Sequence, residues 1–226
     1  EGDARAAQIF ASSYGRDPSF ASFYRSMQAY ERSLAQGDTT LASMTDQLQR
    51  ASELMVRINT GTMTATERKA TGAELKEIVG TLAELANTQD SRGRPLFGGT
   101  DGAPAVTVDA NGITYSQGTP ASIPVGDDQQ VQPTELASRL FGLPGGKDTL
   151  AVLQALAATL STGNALAAGE GDTAIADLQA ADDQLTGIRA SMGARGARVD
   201  LLQAQSTAIG EDREAERSGL EDTDFT

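Results

Sequence analysis

The chain contains no cysteine, histidine or tryptophan, and only 4% of its residues are aromatic. Without cysteine there is no disulfide framework and no thiol nucleophile; without histidine there is no imidazole base. Losing both removes the usual ligands of a zinc site. Missing cysteine fits a reducing cytosol and export equally well. Positive charge is also scarce: 18 Lys and Arg face 31 carboxylates, a formal net charge of −13. No basic stripe is concentrated enough to neutralise phosphates, which argues against nucleic acid and against anionic membrane surfaces as partners. No apolar run approaches the roughly 20 residues of a membrane-spanning helix. There is no positively charged, apolar leader at the start. The first residue is Glu1 rather than Met, and the expectation is that the ends are processed or trimmed.

What remains is 226 residues rich in Ala, Leu, Thr, Ser, Gln, Asp and Glu, enough for one large domain or two modest ones. This is the composition of helices packed along their length. Asp17-Pro18 reads as a helix restart, since Asp caps and Pro suits the first helical position. Met27, Tyr30, Leu34, Gly37, Leu41, Met44, Leu48, Ala51, Met55 and Ile58 then recur at steps of three and four. A mean repeat of about 3.5 keeps one stripe facing a partner helix, as in a coiled coil. Fully helical, the stretch 27–58 would extend roughly 48 Å. Gly37-Asp38 is its expected weak point.

Asn59 to Gly61 should end this helix, and Thr64 and Glu67 have capping-box spacing for the next. Leu75, Ile78, Leu82 and Leu85 continue a narrow stripe, and the short connection implies an antiparallel pair. That helix is expected to end near Ser91-Arg92-Gly93. From about 99 the pattern changes. Val106, Val108, Ile113 and Tyr115 flank "DANG", a hairpin signal. "ASIPVG" and "QQVQP" read as short edge strands, because their prolines exclude a central position. Helix returns near Asp148 with Leu150, Leu153 and Leu160 and stops at Thr162-Gly163. A last long helix is expected from near Asp172, with Leu178, Ala181, Leu185, Ile188, Met192, Arg195, Val199, Leu202, Ser206 and Ile209 in its stripe. The methionines read as core filler within these stripes.

The expected fold is mainly α with a small β insert, an α+β chain. Heptad helices from both chain ends form an elongated antiparallel rod, with a β-rich domain inserted in the middle. The rod comprises 1–98 and 147–226, and the insert 99–146.

Candidate chemistry is thin. "FGLPGGKD" has Gly142, Gly146 and Lys147, one residue short of a phosphate-binding loop, with Asp148 where a hydroxyl belongs. "GEGDTA" at 169–174 has dinucleotide-fingerprint spacing, but no strand precedes it and its acids would repel a pyrophosphate; helix capping by Asp172 explains it better. "DANG" lacks the later ligands of a calcium loop. Asp127-Asp128 and Asp182-Asp183 could ligate metal, yet acid pairs on solvated faces are ordinary in so acidic a chain. No spacing singles out a carboxylate pair for glycoside chemistry. No catalytic, cofactor or metal residue is therefore assigned. "GRPLFGGTDG" at 93–102 follows a helix and not a strand, so its glycines are turn glycines, with Leu96 and Phe97 as apolar anchors.

"LANTQDSRGRPLFGGT" at 85–100 resembles the "LAN-x-x-D-x-x-G-R-x-L-F-x-G" segment of the flagellin-like hook–filament junction proteins, the flagellar hook-associated protein 3 or FlgL family. "LQRASELMVRINTGTMTATERKATGAEL" resembles the helix, turn and helix upstream of it there. "GITYSQG" resembles the start of the family's variable β domain, "IRASMGARGARVDLL" its C-terminal "RA-x-x-GAR-x-N-R-L" helix, and "SGLEDTDF" its "S-x-x-EDAD" segment. "DARAAQIF" is only faintly similar to the N-terminal motif, Val199-Asp200 replaces Asn-Arg, and the insert is short.

The resemblance implies a structural subunit exported without a cleavable leader and held extracellularly in the flagellum. Its implied partners are the hook-side junction protein, flagellin, neighbouring copies in a ring and an export chaperone. It further implies a core fragment without the terminal coiled-coil segments that drive polymerisation. Gly93, Arg94, Leu96 and Phe97 would fix the rod-to-insert bend. Arg189, Gly193 and Arg195 match the C-terminal motif, with Arg195 either meeting a carboxylate or extending to water. Packing would fall to Leu34, Leu41, Met44, Leu48, Met55, Ile58, Leu178, Leu185, Ile188, Met192, Val199 and Leu202. Flagellin itself, a carboxylate-based hydrolase in the insert and a phage or secretion-system fibre are the competing readings.

Overall fold

A computed structural model describes residues 18–109, 112–126 and 129–223. The chain is mainly helical with two small antiparallel strand pairs. Helix α1 spans Pro18–Thr60 and α2 Ala65–Ala86. Strands β1 (Val106–Asp109), β2 (Gly112–Tyr115), β3 (Ile123–Gly126) and β4 (Gln129–Val131) follow. Then come α3 (Ala137–Phe141), a 3₁₀ turn (Pro144–Gly146), α4 (Thr149–Ser161) and α5 (Glu170–Thr223). The chain divides into two compact units. The larger is Ser33–Ala121 with Thr134–Met192; the smaller is formed by the described parts of Glu1–Arg32, Ser122–Pro133 and Gly193–Thr226.

In the larger unit α1 runs antiparallel to α2. Arg50 bridges Glu74 at 2.6 Å, and Arg57 donates to the Thr71 hydroxyl at 3.3 Å one to two turns on. The same stretch of α1 runs antiparallel to α5, where Asn59 donates to Asp172 at 2.6 Å and Arg189 to Asp38 at 2.8 Å. Helix α4 seats on α2 so closely that a Cβ on Gly72 would lie 2.6 Å from the Ser161 nitrogen. Leu41, Met44, Leu48, Met55, Leu75, Leu82, Leu153, Leu160, Leu178, Leu185, Ile188 and Met192 fill one continuous core, with Leu34 and Ile58 partly buried against it. Thr64 and Glu67 form the expected capping box. Strands β1 and β2 pair from Val106↔Tyr115 to Asp109↔Gly112, so the "DANG" hairpin forms, its tip residues 110 and 111 lying outside those described.

In the smaller unit Met27, Tyr30 and Val199 are fully buried, and Leu202 is half-buried. Strands β3 and β4 pair Ile123 with Val131, with a register shift between Pro124 and Gly126. A proline there removes one ladder donor, as expected of an edge strand.

Six local expectations are corrected. Helix α2 ends at Ala86, not near Gly93, because Asn87 caps it and its side chain turns the chain toward β1. Gly37 is not a break: α1 continues through it, and the residue is buried, with Met192 Cε 2.9 Å from where a Cβ would stand. Helix α5 starts at Glu170, so Asp172 is in its first turn and is no cap; the Glu170 carboxylate instead accepts from the Ala167 N–H at 2.8 Å. A short helix, α3, lies in the stretch read as β. Met63 stands in the α1–α2 turn, outside the stripes, and Ile209 is 53% exposed. Asp17, Asp127, Asp128 and the "DARAAQIF" segment fall outside the described residues.

Candidate functional site

The segment 87–101 turns the chain from α2 into the first hairpin, and a set of hydrogen bonds from Asn87, Asp90 and Asp101 shapes it. Asn87 acts as a surrogate strand. Its side-chain amide donates to the Val106 carbonyl at 2.7 Å, and its side-chain oxygen accepts from the Val106 N–H at 3.2 Å. The next residues close a small loop in which Leu96 N–H reaches the Thr88 carbonyl at 2.7 Å and Asp90 N–H the Arg94 carbonyl at 2.8 Å. Gly93 sits at its tip with φ +77°, the left-handed region that favours glycine. The Asp90 carboxylate accepts from the backbone N–H groups of Arg92 and Arg94 at 2.8 and 3.0 Å, and Arg94 bridges it at 3.2 Å. Burial works to raise the Asp90 pKa, and these three donors outweigh it, leaving the carboxyl below its ordinary range.

Leu96 and Phe97 are buried, 7% and 0% exposed, and join the core of the larger unit. The return segment holds them there: the Thr134 hydroxyl donates to the Leu96 carbonyl, and Ala137 N–H donates to the Phe97 carbonyl at 2.8 Å. Gln36 on α1 adds a bond to the Gln89 carbonyl at 2.9 Å.

The glycines that follow answer a steric need. A Cβ on Gly99 would lie 2.4 Å from Gly118 Cα and 2.6 Å from Ser116 Oγ. The donors a phosphate would want are taken by the chain's own carboxylate. Asp101 accepts from the Ser116 hydroxyl at 2.8 Å, the Gly118 N–H at 3.1 Å and the Ala103 N–H at 3.3 Å. The Ser116 hydroxyl contributes most to holding its pKa down. "FGLPGGKD" is likewise structural. Gly145 and Gly146 have φ near +80°, Lys147 bridges Asp177 at 2.7 Å, and Asp148 caps α4 through the Ala151 N–H at 2.9 Å. The other Asp148 oxygen accepts from the Tyr115 hydroxyl at 2.6 Å and fastens β2 to α4; burial, then this bond, pushes the phenol pKa far up.

The three C-terminal motif residues are in different surroundings. Arg189 forms a two-bond fork with Asp38 at 2.8 and 3.1 Å, the geometry guanidinium and carboxylate share best. Gly193 is exposed, with open space around a built Cβ. Arg195 is half-buried in the smaller unit; burial raises the Tyr30 pKa, and the Arg195 charge opposes that. Sequence reasoning missed Asn87, Asp101 and Thr134. Only Asn87, directly after an apolar stripe, carried a local signal, since Asn is a common helix terminator. Asp183 is exposed as expected, whereas Asp182 is half-buried. Among the described residues no group of three or more Asp or Glu could hold a metal ion, and no helix is long and apolar enough to cross a membrane.

No protein-family model matches the chain, and no curated protein does. Solved structures do. The flagellar hook-associated protein 3 of Legionella pneumophila superposes with a TM-score of 0.82 at 13% identity, covering 95% of this chain and 99% of that one. FlgL of Xanthomonas campestris gives 0.75 at 17% identity, covering 96% and 99%. A structure described as the flagellar junction protein FlgL of Legionella pneumophila gives 0.71 at 12% identity, covering 95% and 99%. The chain has the fold of these proteins along nearly its whole length.

Proposed function

We propose, starting from that shared fold, that this chain is a structural subunit of the bacterial flagellum and acts at the hook–filament junction. The single observation that carries the reading is the whole-chain likeness to hook-associated proteins of more than one bacterium. The "SRGRPLFGGT" turn supports it independently, since the residues that resemble the family's segment are those that build the bend.

The mechanism is binding. The paired helices act as a rod (1–98 with 147–226), the segment 99–146 is carried as an insert, and the rod sides contact neighbouring copies in a ring. One side of the ring meets the hook-side junction protein and the other meets flagellin. The subunit reaches the outside through the flagellar export apparatus, accompanied by a chaperone until then, and performs no catalysis. Its net charge of −13 keeps unassembled copies apart.

Seeded assembly tests this. The natural protein carrying this sequence is mixed with isolated hooks, with and without the hook-side junction protein, and followed by electron microscopy. The expected result is a short cap that needs that partner and then stops growing. Long filaments would make the protein a flagellin, and no binding in either mixture would overturn the flagellar reading.

A further inference from the structure

The methionines of the chain are Met27, Met44, Met55, Met63 and Met192. With cysteine, histidine and tryptophan absent, their thioethers are the side chains most open to an oxidant such as a peroxide. All but one are shut away. Met27 is buried in the smaller unit, and Met44, Met55 and Met192 lie in the core of the larger; none is more than 1% exposed. Met63 alone reaches water. It stands half-buried in the turn between the end of α1 at Thr60 and the start of α2 at Ala65.

That turn is held by groups other than a thioether. Thr64 and Glu67 close the capping box, with the Thr64 N–H donating to the Glu67 carboxylate at 2.8 Å. The Arg68 guanidinium donates to the Met63 carbonyl and, at 2.7 Å, to the Gly163 carbonyl beyond α4. An oxygen added to the Met63 sulfur can be hydrated there, whereas the same oxygen on Met44 or Met55 would be forced into the apolar core. We propose that Met63 is an oxidation site for peroxides, the one thioether at which the folded chain takes up oxygen and keeps its fold. The sulfur lone pair attacks one oxygen of hydrogen peroxide. The O–O bond breaks, the S–O bond forms, a proton passes from the transferred oxygen to the departing one, and water leaves. Sulfur is oxidised to the sulfoxide and the peroxide is reduced. The buried thioethers react only as fast as their surroundings open. The argument rests on burial and holds whether or not the flagellar reading does.

The test treats the folded full chain with dilute hydrogen peroxide at neutral pH and reads each methionine by peptide mass after trypsin. Met63 is carried on the tryptic peptide 58–68, which holds no other methionine. It should take up oxygen at least about tenfold faster than Met27, Met44, Met55 or Met192, and unfolding in urea should bring all of them to similar rates. Chains oxidised only at Met63 should keep their thermal midpoint. Met63→Leu, which roughly conserves volume in a half-buried turn, should fold as before and lose the fast uptake. Met63 reacting no faster than the buried methionines, a fast uptake that survives in Met63→Leu, or a midpoint lowered by several degrees by the oxygen on Met63 would overturn the proposal.

Discussion

Tyr30 shows how much a single atom can matter. Its ring is fully buried in the smaller unit, yet its hydroxyl has no hydrogen-bond partner among the described residues. An unsatisfied buried donor costs about 1–3 kcal/mol, so removing it should not destabilise the fold. Tyr30→Phe is expected to leave the thermal midpoint unchanged or raise it, and a fall of several degrees in calorimetry would refute this. Phe97 makes the opposite case. It is fully buried in the core at the bend, and its truncation leaves a cavity. Phe97→Ala should lower stability by about 3–5 kcal/mol, read from urea unfolding. At this scale the sequence was legible where a residue is apolar. Leu96 and Phe97 announce their burial, whereas Asp101 does not announce that it holds Ser116 and Gly118. Its partners lie 15 and 17 positions away, and only the closed hairpin brings them within reach.

Helices were legible because their signals are local. The capping box and the stripe of α2 lie within a few residues of one another, and both form as read. The end of α2 was placed several residues too late because its terminator, Asn87, is held by β1, which no window of sequence contains. Glycine is the clearest instance of the same limit. Gly72 and Gly80 are indistinguishable in sequence, both inside α2, but a Cβ on Gly72 would strike Ser161 whereas one on Gly80 meets nothing within 4 Å. Gly72→Ala should therefore destabilise by about 1–3 kcal/mol, and Gly80→Ala should stabilise by about 0.5–1 kcal/mol. Equal midpoints for the two variants would contradict the close approach of α4.

The pH response also belongs to the elements. Glu67 is held below its ordinary pKa chiefly by the Thr64 N–H, and Asp38 chiefly by its bond from Arg189. Both folded values are lower than the unfolded ones. Their contribution is complete above the ordinary carboxylate range of about 4 and is lost as pH falls through the lowered values. Thermal melts should show the deficit of Glu67→Ala at pH 7 shrinking toward pH 2; a deficit independent of pH would mean that the carboxylate charge has no part in the cap.

For the whole molecule, charge is the leading variable. A net −13 on 226 residues repels itself in the compact state, and salt screens that repulsion. Raising sodium chloride from about 10 to 150 mM, where the screening length falls from roughly 30 to 8 Å, should raise the thermal midpoint. A fall would show that favourable ion pairs, such as Arg189 with Asp38, dominate instead. The mainly helical class with small antiparallel strand pairs could be read from the chain because it follows composition and periodicity, whereas the short helix α3 could not. The half-burial of Asp182 could not, because Asp182-Asp183 looks like any solvated acid pair until α5 is packed.

The pairing of α1 with α5 has a consequence in time. Asp38 waits for Arg189, 151 positions later, and Asn59 for Asp172, 113 positions later. A chain released from its N-terminus first, whether by a ribosome or by a secretion channel, leaves Leu41, Met44 and Leu48 without their final neighbours until most of its length has emerged. Local helix can form at once, but the non-local closure that completes the core comes last and sets the pace. Its core therefore stays unfinished until α5 is free to pair with α1.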